Sequence, residues 1–315
     1  MSTATQIKPT TLSQAINGEH VTGRSWSVDR AYDYCERLTR SHYENFPVGS
    51  VLVPKPLRKH FYSIYAFARA ADDFADEGYA ENYTEQDRLA LLEEWRRMLI
   101  SSDASPASHP VFVALAETRS QYNLPITLFE DLLSAFMQDV TKTRYQSFDE
   151  LLDYCRRSAN PIGRLILMLF GHRDEQFHKW SDDICTALQL ANHWQDVQID
   201  LAKDRIYLPA EDLARFRISY DDLCASRADN SFKQLMKYEV ARARALFARG
   251  KPLCLAAKGR LGLELRAVWL GGSRILDRIE AADYDVFTRR PVITSTDKLR
   301  ILLCTVSKEA FRHQR

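Results

Sequence analysis

The chain has 315 residues, 45% hydrophobic and 27% charged, an ordinary globular composition. Its 43 Lys and Arg against 42 Asp and Glu leave a formal net charge of +1, so no global basic field argues for nucleic acid as a partner. The six cysteines (Cys35, Cys155, Cys185, Cys224, Cys254 and Cys304) form no CxxC pair, which fits neither a zinc site nor a disulfide framework and points to free thiols in a reducing cytoplasm.

Residues 1–23 are polar, lack the apolar core of a signal peptide, and read as a flexible tail. The rest, 24–315, reads as one all-α domain. Gly and Pro are sparse, at 11 each, and apolar positions recur with helical rather than alternating periodicity. That periodicity predicts helices over 27–42, 55–78, 84–101, 108–119, 126–138, 147–157, 160–172, 175–202, 209–215, 219–225, 228–248, 250–257, 260–281 and 295–312. Breaks are expected at Ser105-Pro106, Asn123-Leu124-Pro125, Asn160-Pro161, Leu208-Pro209 and Arg290-Pro291. Fourteen Tyr and fifteen Phe supply material to line an apolar pocket. No stretch approaches the roughly 18 apolar residues of a membrane span. The stripe Leu299, Ile301, Leu302, Leu303 and Val306 in the last helix is expected to pack on the protein's own core.

Two acidic clusters stand out because both lie on segments that otherwise read as buried helix, where unpaired carboxylates are costly. Positions four apart on a helix nearly superimpose, so Tyr65, Arg69, Asp72 and Asp76 share one face, with Asp73 on its flank. The second helix repeats the arrangement with Asn192, Asp196 and Asp200, and Gln189 falls near the same line. A solvated acidic face is the plain alternative for either stripe. Two such stripes facing each other across a helical cavity would form a cage for hard cations and a polyphosphate. Mg²⁺ suits it, because that ion prefers oxygen ligands and binds through a few carboxylates plus substrate phosphates.

At these residues the chain resembles the squalene/phytoene synthase family of head-to-head prenyl transferases. Tyr65-Ala66-Phe67-Ala68-Arg69-Ala70-Ala71-Asp72-Asp73-Phe74-Ala75-Asp76 is similar to the family's first Asp-rich motif. Gln189-Leu190-Ala191-Asn192-His193-Trp194-Gln195-Asp196-Val197-Gln198-Ile199-Asp200, followed by Arg205-Ile206-Tyr207-Leu208-Pro209, is similar to the second. Tyr154-Cys155 followed by Gly163 resembles the central motif, and Asp283-Tyr284-Asp285-Val286-Phe287 resembles the C-terminal part, so the likeness runs from about His42 to Arg290. It implies a single-domain isoprenoid synthase bundle around a central apolar cavity. It also implies that Asp72, Asp76, Asn192, Asp196 and Asp200 hold Mg²⁺ bridging to diphosphate. Arg69 and Arg205 would contact phosphate oxygens, with His42, Tyr65 and Gln189 in the same polar shell. Tyr154 and Tyr207 would sit near the reacting carbons, where an aromatic face stabilises a passing cation.

Three departures bear on the product. The family often carries Arg where Gln195 stands, usually runs Gly-Thr-Val-Gly where this chain has Asn160-Pro161-Ile162-Gly163, and commonly has Tyr where Gly272 stands. Gly272 is expected to leave space or backbone access, and either it or the Asn160-Pro161 turn to admit water. With Glu44-Asn45-Phe46-Pro47-Val48, these departures resemble the bacterial branch of hydroxysqualene synthases in hopanoid biosynthesis. That branch ionises presqualene diphosphate and captures the cation with water, without reductant. Condensation of two farnesyl diphosphates is the alternative within the family, and a cation-binding helical scaffold at a membrane surface is the alternative outside it. A lipidic substrate and product leave room for peripheral membrane contact and for neighbouring pathway enzymes as partners.

Overall fold

The computed structural model describes residues 26–41, 52–75, 83–102 and 109–313. Regular structure among them is helical, as expected, apart from one isolated parallel bridge between Arg144 and Ile206. The predicted tail, and with it His42 and Asp76, lies outside the described residues. The chain divides into two compact units, Met1–Pro47 with Lys55–Lys142, and Val48–Pro54 with Thr143–Arg315.

The first unit contains α1 (Val28–Ser41), α2 (Lys55–Ala75), α3 (Glu85–Ser101), α4 (Pro110–Tyr122) and α5 (Ile126–Thr141). Helix α3 begins at a capping box, in which the Thr84 hydroxyl and the Asp87 carboxylate satisfy each other's backbone amides. Helix α2 buries Ile64, Phe67, Ala71 and Phe74. Trp95 of α3 meets Phe67 at a ring separation of 6.1 Å and Phe112 of α4 at 4.5 Å, and its indole N–H donates to the Phe67 carbonyl. A buried polar knot of Tyr32, His60, Ser63 and Thr118, with contacts of 3.0–3.1 Å, ties α1 and α4 to α2. This packing fixes the roll of α2 and hence which of its faces is left for chemistry.

In the second unit α6 (Phe148–Ser158) and α7 (Asn160–Leu169) lead into α8 (Glu175–Gln195) and α9 (Val197–Ala202). Short α10 (Ala210–Arg215) and α11 (Tyr220–Cys224) follow, then α12 (Asn230–Ala256), α13 (Gly259–Ala281), α14 (Ser295–Val306) and α15 (Lys308–Arg312). Helix α8 is the centre of this unit and packs on α12, α7 and α13. The approach of α12 to α8 is set by Gly250, where an added Cβ would lie 2.5 Å from Ile184 Cγ1 and 2.7 Å from the Trp180 carbonyl oxygen.

Three breaks between helices differ from expectation. The predicted break between 248 and 250 is absent, since α12 runs on through Gly250 and Pro252 to Ala256. The predicted helix over 175–202 is interrupted at Asp196, whose backbone (φ −104°, ψ 12°) ends α8 and starts α9. The last helix divides at Ser307. The leucine stripe of α14 does not pack on the core either. Leu299, Leu302, Leu303 and Val306 are 60–66% exposed, while Asp297 and Thr305 are buried and Ile301 is half-buried. Asp297 explains the inversion, because Arg274, Arg278 and the Thr294 cap draw that face of the helix inward.

Candidate active site

On α2 the burial pattern leaves Tyr65 and Arg69 half-buried and Asp72 exposed, on the face opposite the aromatic core. The Arg69 guanidinium is shared between Asp72 Oδ2 at 3.2 Å and Asp73 Oδ1 at 2.5 Å. Asp73 is the more buried carboxylate of the two, so Arg69 neutralises the one that water screens least. Burial raises the Tyr65 phenol above its ordinary pKa, against the pull of Arg69.

In the second unit the stripe survives the interruption at Asp196. Its amide donates to the Asn192 carbonyl at 2.9 Å, and the Asp200 amide donates to the Asp196 carbonyl at 2.8 Å, so the i, i+4, i+8 rise is kept. Asn192 Nδ2 donates to Asp196 Oδ2 at 2.8 Å. Burial, reinforced by the charge of Asp196, pushes the Asp200 carboxyl up to about 7, against the opposing pull of Arg205, Lys203 and Arg290. A carboxyl held so high is one short of positive charge.

The following segment is strapped down by its backbone. Ile206 N–H donates to the Thr143 carbonyl and Ala210 N–H to the Tyr145 carbonyl, both at 2.9 Å. Asp212 of α10 accepts from Arg242 of α12 at 2.6 Å. The strap presses Tyr207 against His193 with a ring separation of 3.6 Å and an interplanar angle of 16°, and brings Tyr145 and Tyr154 within 5.6 and 6.0 Å of Tyr207. Burial lowers the His193 imidazole to about 3, so it is neutral, and its Nε2 lies 3.3 Å from Gln189 Nε2. Beside this cluster His193, Asp200, Arg205 and Tyr207 line a recess of about 230 Å³, including its part open to solvent.

Gln189, Asn192, Asp196, Asp200, Arg205, Tyr154 and Tyr207 are thus gathered within the second unit. Sequence reasoning missed Tyr145, His193 and above all Arg290. Arg290 grips Asp196 in two-point fashion, Nε to Oδ1 at 2.5 Å and Nη2 to Oδ2 at 3.0 Å. The Asp283–Phe287 segment delivers it. Asp283 and Tyr284 adopt left-handed φ values of 52° and 60° to end α13. Asp285 then accepts from the amides of Phe287 and Thr288, and Phe287 packs on Phe232 at 4.4 Å. Gln195 completes the placement, since its buried amide donates to the Pro291 carbonyl at 2.5 Å.

The expected opening at Gly272 is not there. An added Cβ would lie 2.4 Å from Phe247 Cζ and 2.5 Å from Leu188 Cδ2, so the glycine permits a close approach of α13 to α12 and α8. The Asn160-Pro161 pair likewise forms a packed helix start. Asn160 is buried and accepts from Thr186 Oγ1 at 3.0 Å.

The donor set of Asn192, Asp196 and Asp200 suits a hard cation, being oxygen-rich with one carboxyl that ionises reluctantly. Among the described residues no three His, Cys, Asp or Glu side chains converge, so the fit rests on this carboxylate pair and its amide neighbour.

A family model described as squalene/phytoene synthase matches residues 39–297. The chain is 36% identical over 231 residues to the hydroxysqualene synthase of Zymomonas mobilis, covering 71% of this chain and 75% of that protein. To the 15-cis-phytoene synthase of Synechocystis it is 32% identical over 294 residues, covering 88% and 84%. The crystal structure of squalene synthase HpnC from Alicyclobacillus acidocaldarius is similar at a TM-score of 0.77 and 43% identity, over 82% of this chain and 96% of that one.

Proposed function

The chain belongs to the squalene/phytoene synthase family, and from that premise we propose that it converts presqualene diphosphate and water to hydroxysqualene and diphosphate. Identity carries this reading. It is 36% to a hydroxysqualene synthase, against 32% to a phytoene synthase. In the proposed step the carbon–oxygen bond breaks with its electron pair leaving on diphosphate. The cyclopropylcarbinyl cation rearranges, and water adds and loses a proton.

Asp72 with Asp76, and Asn192 with Asp196 and Asp200, would hold Mg²⁺. When bound, the ion supplies positive charge where the leaving diphosphate gathers negative charge. Arg69, Arg205 and Arg290 add fixed positive charge, and His42, Tyr65 and Gln189 add hydrogen bonds. Tyr154 and Tyr207 present aromatic faces to the cation. Tyr145 and the neutral His193 hold Tyr207 in place, and a neutral imidazole does not repel a cation. Free thiols throughout support a reducing, cytoplasmic setting. No helix among the described residues is long and apolar enough to cross a membrane.

The test is incubation of purified protein with Mg²⁺ and presqualene diphosphate in ¹⁸O-labelled water, without nicotinamide cofactor. Labelled hydroxysqualene is the expected product. Unlabelled hydrocarbon would overturn water capture. Turnover of farnesyl diphosphate alone would favour the second reading, head-to-head condensation, which the longer alignment with phytoene synthase supports.

A further inference from the structure

Helix α14 displays its apolar side to solvent and keeps its polar side inward. At 100° per residue, Leu299, Leu302, Leu303 and Val306 span an arc of roughly 100°, and each is at least 60% exposed. The opposite face carries Asp297, Ile301 and Thr305. Both ends of that face are pinned. Asp297 accepts from Arg274 Nε at 2.7 Å, Arg278 Nη2 at 2.6 Å and the Thr294 amide at 2.9 Å. At the far end Arg266 Nε donates to the Thr305 carbonyl at 2.8 Å. Rolling the leucines inward would break the bonds from Arg266, Arg274 and Arg278, all on α13, so the outward stripe is held in place by the fold.

The flanks of the arc are cationic. Lys298 and Arg300 lie about 100° to either side of Leu299, and both are exposed. Exposed Lys308 and Arg312 follow on α15, whose Phe311 is buried against Trp269 at 5.2 Å. Glu309 is the one exposed acid from 292 to 313. An apolar stripe bordered by long basic side chains is the pattern of a helix lying in a lipid interface, apolar residues in the acyl boundary and cations at the headgroups. A second copy suits the face poorly, because a twofold axis along the stripe would set Lys298 of each copy against Arg300 of the other, cation against cation on both flanks.

We propose that α14 and α15 seat this protein on an anionic lipid surface through Leu299, Leu302, Leu303 and Val306, with Lys298, Arg300, Lys308 and Arg312 contacting headgroup phosphates. The surface is independent of the reaction proposed above and is tested without substrate. The full chain is co-sedimented with vesicles of phosphatidylcholine alone and of phosphatidylcholine mixed with phosphatidylglycerol. Binding is expected to the mixed vesicles, weakened by salt.

The doubly substituted Leu302→Glu, Leu303→Glu protein is expected to lose roughly a hundredfold in partitioning. The Lys298→Glu, Arg300→Glu protein should lose about 30-fold, confined to the anionic vesicles. Because all four side chains are exposed, circular dichroism and melting should match the parent, which separates loss of docking from loss of fold. Unchanged vesicle binding by both variants overturns the proposal. So does an absence of vesicle binding by the parent, whether it is monomeric in sedimentation velocity or forms a dimer that the leucine variant abolishes. In that last case the face joins copies of the chain.

Discussion

Asp200→Asn should make the metal-free protein more stable while removing most of its activity. The carboxyl is raised from 3.8 to about 7, roughly three units, which at about 1.36 kcal/mol per unit sets an upper limit of ~4 kcal/mol. Residual solvent access around a half-buried side chain lowers this, and about 2–4 kcal/mol is expected at pH 8. The sign follows from the direction of the shift. A carboxyl whose folded pKa lies above its unfolded value favours the folded state fully below about pH 4, and that contribution is lost as pH rises through 7. The asparagine isostere avoids the loss. Its advantage should therefore be absent below pH 4, roughly a third of its maximum at pH 5, and near its maximum at pH 8. With an unfolding entropy of about 2.1 cal/mol/K per residue, this amounts to a melting rise of ~3–6 °C at pH 8. Thermal denaturation of both proteins in EDTA across that range is the assay. Adding Mg²⁺ with inorganic diphosphate should narrow the gap by stabilising the parent, since a ligand that binds only the folded state raises its stability. A variant melting at or below the parent at pH 8 would refute the reasoning, because the carboxyl would then not be short of positive charge.

Arg290→Ala removes the two-point partner of Asp196 across a pair that is half-exposed on the arginine side, so about 1–2 kcal/mol of stability should go. The Asp200 carboxyl should titrate higher still, read by ¹³C carboxyl shifts in a pH series. Gly272→Ala places a methyl 2.4 Å from Phe247 and 2.5 Å from Leu188 and should cost about 1–3 kcal/mol in chemical denaturation; neutral behaviour would restore the idea of open space there. Asp297→Ala strands two arginines and removes the carboxylate half of the α14 capping box, with about 3 kcal/mol lost at pH 7. Burial opposes ionisation of Asp297, but the Thr294 amide and hydroxyl with Arg278 and Arg274 outweigh it and hold the pKa well below the usual carboxylate range. The parent's advantage over this variant should therefore persist above about pH 4 and fade as pH drops toward the depressed value, which acid titration of both proteins would show.

The helical class and the second acidic stripe were legible because both are local. Periodicity over ten or more residues specifies a helix, and four-residue spacing puts Asn192, Asp196 and Asp200 in line even though the helix is interrupted at Asp196. Side-chain direction at α14 was not legible by the same logic. Hydrophobic patterning points leucines inward, and the competing term is a single carboxylate whose two arginine partners lie about twenty residues earlier on another helix. Gly272 failed for a related reason. A missing side chain reads as space until the neighbouring helices are in place, and here Phe247 and Leu188 fill it.

The exchange at Gln195 joins these strands. A neutral amide where the family often carries arginine looks like a lost phosphate contact, and taken position by position it is one. In the fold, the Gln195 amide holds the Pro291 carbonyl, and the residue before that proline is Arg290. Its guanidinium lands on Asp196, 94 residues away in sequence. The left-handed turn at Asp283 and Tyr284 and the Asp285 cap supply the geometry of the return. The positive charge at Asp196 is therefore present but contributed by a different segment, and Gln195 places it. Gln195→Glu should release Arg290 by setting a carboxylate against a carbonyl. Gln195→Arg should restore charge locally and make Arg290→Ala tolerable. If the double variant Gln195→Arg, Arg290→Ala is no better than Arg290→Ala alone in KM for the diphosphate substrate, the two residues do not share one role.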